Sequence, residues 1–237
     1  MSNIQDEFIA TVSHELRTPL TSIRGFSQTL LASWDKIDDE NKKKFIKIIE
    51  EQSNRLIHLV ENVLSVSKMN AGCEVLKKVD VNDVIKRIIP MFTEQYKTRK
   101  FVQKLNSNLP PARLDEDKFQ QILTNLIDNA AKYSTDGKTV TISTELTENF
   151  VEIKVIDEGV GIKQEDFDKV FKKFSRLENH LTSTTQGNGL GLYITKQLVE
   201  NMGGQISFTS EFHKGTTFTI LLPLFNQEEV LKCSHKS

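Results

Sequence analysis

The chain has 237 residues, with 31 Lys and Arg against 32 Asp and Glu and a formal net charge of −1. That balance excludes a generic polyanion binder, since no basic excess exists to neutralise phosphate backbones, and no nucleic-acid partner is expected. A hydrophobic fraction of 38% and a charged fraction of 27% suit a folded chain, and the length allows one large or two ordinary domains.

No apolar run approaches the ~18 residues of a membrane span, so no membrane contact is expected from this segment. Met1 to Ala10 lacks a signal-peptide pattern, and Cys73 and Cys233 match no metal or disulfide framework. A reducing, cytoplasmic setting follows as the expectation.

Ile9, Val12, Leu16, Pro19, Ile23, Phe26 and Leu30 fall at alternating spacings of three and four. Phe45, Ile49, Gln52, Leu56, Leu59, Val63 and Val66 do the same. Each series is the seam of a long helix. The polar cluster between Trp34 and Asn41 predicts a hairpin with an N-capped second helix. One helix pair buries both seams poorly and two copies make a four-helix bundle, so a homodimer is expected.

Gly72 predicts a helix stop and 72–79 a linker. Helices are predicted over Val81–Lys97, Asp115–Lys132 and Leu190–Asn201. Strand patterns carry Val140, Ile142 and Leu146; Val151, Ile153 and Val155; Ile206 and Phe208; Phe218, Ile220 and Leu222. The fold class expected is α+β: a helical hairpin at 1–71, the linker, an α/β sandwich at 80–225 with helices against a mixed sheet, and a disordered tail at 226–237. Ser175–Asn188, rich in Ser and Thr, is expected to be a mobile loop. Eight of the 11 glycines lie between Gly159 and Gly215, which demands positive φ or close backbone approach there.

Counting from Ile9 as position a, His14 falls at f, opposite the seam and facing solvent. An imidazole so placed can act as a nucleophile, with Glu15 beside it to accept a proton and Thr18 one turn on. A plain surface histidine is the alternative. Pro19 argues against it, because a proline inside a heptad helix costs about 3 kcal/mol or more without compensation.

Asn125, Asn129 and Lys132 share one helix face. Amide oxygens suit Mg²⁺, and the lysine suits phosphate; taken alone, an N-cap or a polar solvent face accounts for them slightly better. Asp157 has the strand parity of Val151, Ile153 and Val155, which turns a carboxylate toward the apolar side. It needs a strong donor there, and either the exocyclic amine of a purine or a structural salt bridge supplies one. Gly187-Asn188-Gly189-Leu190-Gly191 opens a helix whose amides can bind phosphate. It lacks the dinucleotide fingerprint, and no Gly-Lys-Ser/Thr phosphate loop exists.

In order along the chain, these segments resemble the boxes of two-component sensor histidine kinases. Phe8–Leu20 resembles the H box, Asn125–Ser134 the N box, Asp157–Ile162 the G1 box and Phe167–Phe174 the F box. Gly187–Gly191 resembles G2 and Gly215-Thr216 the last glycine motif. The resemblance covers about 8–225 and implies a dimeric phosphoacceptor bundle joined to a Bergerat-type ATP-binding domain.

It further implies that ATP phosphorylates His14, which passes the phosphoryl group to an aspartate of a response regulator. Glu15 would be the base, and Thr18 would orient water in regulator dephosphorylation. Asn129 would hold Mg²⁺ with Asn125 nearby, Lys132 and Arg176 would contact phosphates, and Tyr133 would pack on the nucleotide. Asp157 would read the adenine amine, with Gly159, Gly161, Gly187, Gly189, Leu190, Gly191 and Thr216 completing the pocket. No sensor or membrane segment precedes the H box, so a piece of a larger sensor, or a cytosolic partner with input from elsewhere, is expected. A serine kinase or ATP-gated clamp of the same ATP fold would need no exposed histidine on a heptad bundle, and a pseudokinase scaffold would need no intact pocket.

Overall fold

A computed structural model of the protein describes residues 2–68, 76–135, 137–175, 177 and 189–225, with side chains from residue 11 onward excluding 58 and 65–68. The chain divides into two compact units, Met1–Ala71 and Gly72–Ser237.

The first unit is a hairpin of α1 (Ser2–Ser33) and α2 (Asp39–Lys68), joined through a 3-10 turn at Trp34–Lys36. The turn ends at Asp38, whose carboxylate accepts the Asn41 backbone N–H at 2.9 Å and the Asn41 side-chain amide at 2.7 Å. These bonds hold the Asp38 carboxyl below the usual carboxylate range and start α2 as a capped helix. Along the seam, Pro19, Leu30 and Leu59 are buried, and Phe26 meets Phe45 at 5.1 Å between ring centroids. The helix runs unbroken through Pro19. Other apolar side chains of the hairpin lie open, among them Leu20, Leu31, Ile46, Ile57, Val60 and Leu64.

In the second unit α3 (Val81–Gln95), α4 (Glu116–Tyr133) and α5 (Gly191–Asn201) pack with a five-stranded sheet. Asp80 and Asp115 cap α3 and α4, each accepting two backbone N–H groups of the first turn. The sheet comprises β2 (Lys100–Leu105), β4 (Thr139–Leu146), β5 (Phe150–Asp157), β6 (Gln205–Glu211) and β7 (Gly215–Pro223), in the order β2-β4-β5-β7-β6. The β2–β4 pair is parallel, with α4 crossing between, and the other pairs are antiparallel. Alternate residues Val151, Ile153, Val155 and Asp157 are buried, as are Thr216, Phe218, Ile220 and Leu222, while Glu152 and Lys154 pair at 2.6 Å on the open face. One face therefore carries the core.

Two features differ from the sequence reading. Lys77–Val79, expected in the linker, forms β1 and pairs antiparallel with β3 (Ala112–Leu114), because Val79 is buried opposite Ala112. The edge strand β2 has no sequence counterpart: only Phe101, Val102 and Leu105 are even half-buried, so no alternation marks it. The tail at 226–237, and Arg176 and 178–188 of the expected loop, lie outside the described residues. Among the described residues no helix is long and apolar enough to cross a membrane.

A buried polar link locks α3 to the sheet. The Thr144 hydroxyl donates to Asn82 Oδ1 at 2.9 Å and accepts the Asn106 N–H at 3.0 Å, while Asn82 Nδ2 donates to the Asn106 carbonyl at 2.8 Å. Thr144→Val keeps the shape but strands the buried Asn82 acceptor and the half-buried Asn106 donor. It should cost about 1–3 kcal/mol, read as a lowered denaturation midpoint, and an unchanged midpoint would discount the link.

Candidate functional site

His14 is solvent-exposed on α1, as its heptad position requires. Thr18, one turn on and also exposed, directs its hydroxyl to the His14 carbonyl at 3.4 Å. Glu15 does not share that open face. It turns toward α2, where Arg55 Nη2 meets its carboxylate at 3.3 Å. Neighbouring residues on a helix do not face each other, so the pair fixes Glu15 beside the histidine without directing it onto the ring.

In the second unit the chemistry gathers around Asp157, the last residue of β5. It is 8% exposed, and its Oδ1 accepts backbone N–H groups from Gly159 at 2.8 Å and Thr216 at 3.2 Å. Among the described residues Oδ2 has no hydrogen-bond partner. Burial pushes the carboxyl up to about 6, with the two N–H groups opposing that rise.

The sequence around Asp157 allows this placement because its glycines admit backbone. A Cβ on Gly159 would strike the Tyr133 carbonyl and sit 2.7 Å from Asp157 Oδ1. Gly161, at φ 64°, lies against the backbone of Glu211 and Phe212. Val160 N–H then reaches the Tyr133 carbonyl at 3.1 Å, tying the end of α4 to the segment after β5. Ser210, which sequence reasoning passed over, accepts the Ile162 N–H at 2.8 Å and lies 2.9 Å from the Thr216 hydroxyl.

The amide face of α4 divides into two roles. Asn125 is engaged: Nδ2 donates to Thr195 on α5 at 2.8 Å, and a Cβ on Gly191 would collide with its oxygen. Asn129 is half-buried and its side chain has no hydrogen-bond partner among the described residues. Thr195, also missed, was detectable as a polar residue on the apolar face of α5 beside Ile194, Leu198 and Val199. Lys132 lies on the same helix, paired with Asp128 at 2.5 Å. Gly189, at φ 67°, packs 2.6 Å from the Phe174 backbone carbon if given a Cβ, and Leu190 is fully buried. Among the described residues no side chain caps the first turn of α5. Arg176 and Gly187 lie outside the described residues.

The family described as "His Kinase A (phospho-acceptor) domain" matches residues 4–72, and the family "Histidine kinase-, DNA gyrase B-, and HSP90-like ATPase" matches residues 114–226. The chain belongs to the two-component sensor histidine kinases. This kinase core is 35% identical to the sensor histidine kinase WalK of Bacillus subtilis over 97% of its own length, spanning 38% of WalK. It resembles the structure of the histidine kinase AdeS of Acinetobacter baumannii with a TM-score of 0.72 and 28% identity, covering 90% of this chain and 98% of that one. It also resembles full-length ShkA in complex with AMPPNP, with a TM-score of 0.67 and 27% identity, over 92% of this chain and 46% of that one.

The buried carboxylate of this kinase core makes a pH prediction. Its pKa is raised from 3.8 to about 6, so its ionisation penalises the folded state above pH 6 and not below pH 3.8. Asp157→Asn keeps an oxygen for both N–H groups. Without nucleotide the variant should be more stable than the parent at pH 7, by up to about 3 kcal/mol, with the difference vanishing as pH falls toward 4. Thermal unfolding across that range tests it; a variant less stable at pH 7 would mean the ionised form is not penalised.

Proposed function

We propose that this chain is an ATP-dependent protein-histidine kinase core that autophosphorylates on His14 and passes the phosphoryl group to an aspartate of a response regulator. The observation that carries the reading is the buried Asp157 carboxylate with one oxygen left over. An adenine amine is a donor of the right kind for Oδ2, which has no hydrogen-bond partner among the described residues.

The remaining groups fit the phosphate end. Lys132 and the first turn of α5, reached through Gly189, Leu190 and Gly191, offer charge and N–H donors to the phosphates; Arg176 and Gly187 join them by family position. Tyr133 packs on the nucleotide, and Gly159, Gly161 and Thr216 shape the pocket around Asp157. Among the described residues no group of three His, Cys, Asp or Glu could hold a metal, so a fully protein-bound ion does not fit. A Mg²⁺ held by the single Asn129 amide oxygen, with phosphates and waters, does fit, Asn125 lying nearby in its link to Thr195. Bound there, Mg²⁺ would neutralise charge on the phosphates.

His14 is the exposed nucleophile: a ring nitrogen attacks the γ-phosphorus, and the bond to the ADP oxygen breaks. Glu15, the base by family position, is held toward α2 by Arg55 and has to turn to the ring to take the imidazole proton. The open apolar residues of α1 and α2 supply the faces for a second copy, and we read the working unit as a homodimeric four-helix bundle with the domain limits given above. Thr18, open on the His14 face, is read as the residue that orients water when the regulator is dephosphorylated. We place this core in the cytoplasm, where ATP and receiver domains meet it.

Incubation with γ-labelled ATP and Mg²⁺ tests the reading. An acid-labile, alkali-stable label should form on the parent chain and be absent from His14→Gln, with nucleotide binding kept; label retained in the variant would move the acceptor elsewhere. Thr18→Ala should autophosphorylate at the parental rate while dephosphorylating a phosphorylated receiver domain at least tenfold more slowly, and an unchanged dephosphorylation rate would remove that role.

A further inference from the structure

The Lys132 ammonium is already engaged. It lies 2.5 Å from Asp128 Oδ2, one turn back on α4, with the two side chains 31% and 25% exposed. The other Asp128 oxygen accepts the Tyr96 hydroxyl, also at 2.5 Å. Tyr96 ends α3, its N–H bonded to the Phe92 carbonyl at 2.8 Å. From the same turn Arg99 donates Nε–H to the Ala131 carbonyl at 3.2 Å. The segment between α3 and β2 thus grips the last turns of α4 twice, once through a side chain and once through backbone. Burial and the neighbouring carboxylate raise the Tyr96 hydroxyl well above its ordinary range, so it remains a donor.

An ordinary exposed i,i+4 ion pair contributes little. This one differs because a third group, on another helix, decides where the carboxylate sits. A lysine has a long flexible stem and three N–H donors. One donor on a fixed carboxylate holds the stem back along the helix beside Asn129, and two donors remain for an incoming anion. The ordering cost of the side chain is then met before the anion arrives.

We propose that Asp128, held by Tyr96, is a positioning residue that aims Lys132 at the phosphate chain of a nucleoside di- or triphosphate. The proposal rests on the reading of Lys132 as a phosphate contact.

The test is calorimetric binding of ATP, ADP and adenosine to the whole chain, which needs no turnover. Asp128→Asn should weaken ATP and ADP about five- to tenfold and leave adenosine unchanged. Tyr96→Phe should give a smaller loss of the same pattern. In a Lys132→Met background, Asp128→Asn should cost nothing further, because the two act as one unit. Equal losses for adenosine and ATP would make Asp128 a support of the fold and overturn the proposal. Tighter ATP binding would make it a competitor of phosphate, and an additive loss over Lys132→Met would make it independent of the lysine; either result overturns it too. If Lys132→Met itself leaves the preference for ATP over adenosine intact, the reading of Lys132 fails and carries the proposal with it.

Discussion

A carboxylate placed where water is scarce is the constraint that organises the second unit. Asp157 closes a strand whose other inward residues are Val151, Ile153 and Val155, so it inherits their burial. Leaving it charged there requires donors, and the structure supplies them from backbone: Gly159 from the segment after β5 and Thr216 from the paired position on β7. Those two donors force the rest. Gly159 must be glycine to lie against the Tyr133 carbonyl, Gly161 must take φ 64° to clear Glu211, and Gly215, at φ 131°, approaches the Asp157 carbonyl itself. The glycines spaced along the sequence converge on one buried charge.

That convergence gives the glycine motifs a meaning unlike that of a phosphate loop. In the described residues they bring protein backbone against protein: Gly159 to α4, Gly191 to Asn125, Gly189 to Phe174. What they leave at Asp157 is one carboxylate oxygen without a hydrogen-bond partner among the described residues. The first unit works by the opposite logic. His14 stands open to solvent, while Glu15, one residue on, is drawn to Arg55 by the geometry of a helix pair.

The two heptad seams, the capped turn at Asp38, helices α3 to α5 and strands β4 to β7 were legible because each has an apolar period or a capping residue that acts locally. Strand β2 was illegible: at a sheet edge it has no buried face to impose alternation. Strand β1 was hidden for a related reason, since three residues with one buried valine carry no period. In the site, Asp157, Asn129 and the glycines stood out by parity and spacing. The partners did not. Arg55, Thr195, Ser210 and Tyr96 lie far along the chain from the groups they hold, and nothing in their local sequence names a partner 40, 70, 48 or 32 residues away.

Strand β3 also receives the end of the sheet unit. Ala112 pairs with Val79 near its start and bridges Leu224 near its end, and the Phe225 N–H bonds to the Pro111 carbonyl at 3.0 Å. Entry and exit of the chain therefore meet at one short strand. A unit whose two ends lie together can be appended, inserted or permuted without stretching its core. Three residues of backbone pairing thus hold both ends of this body in one place.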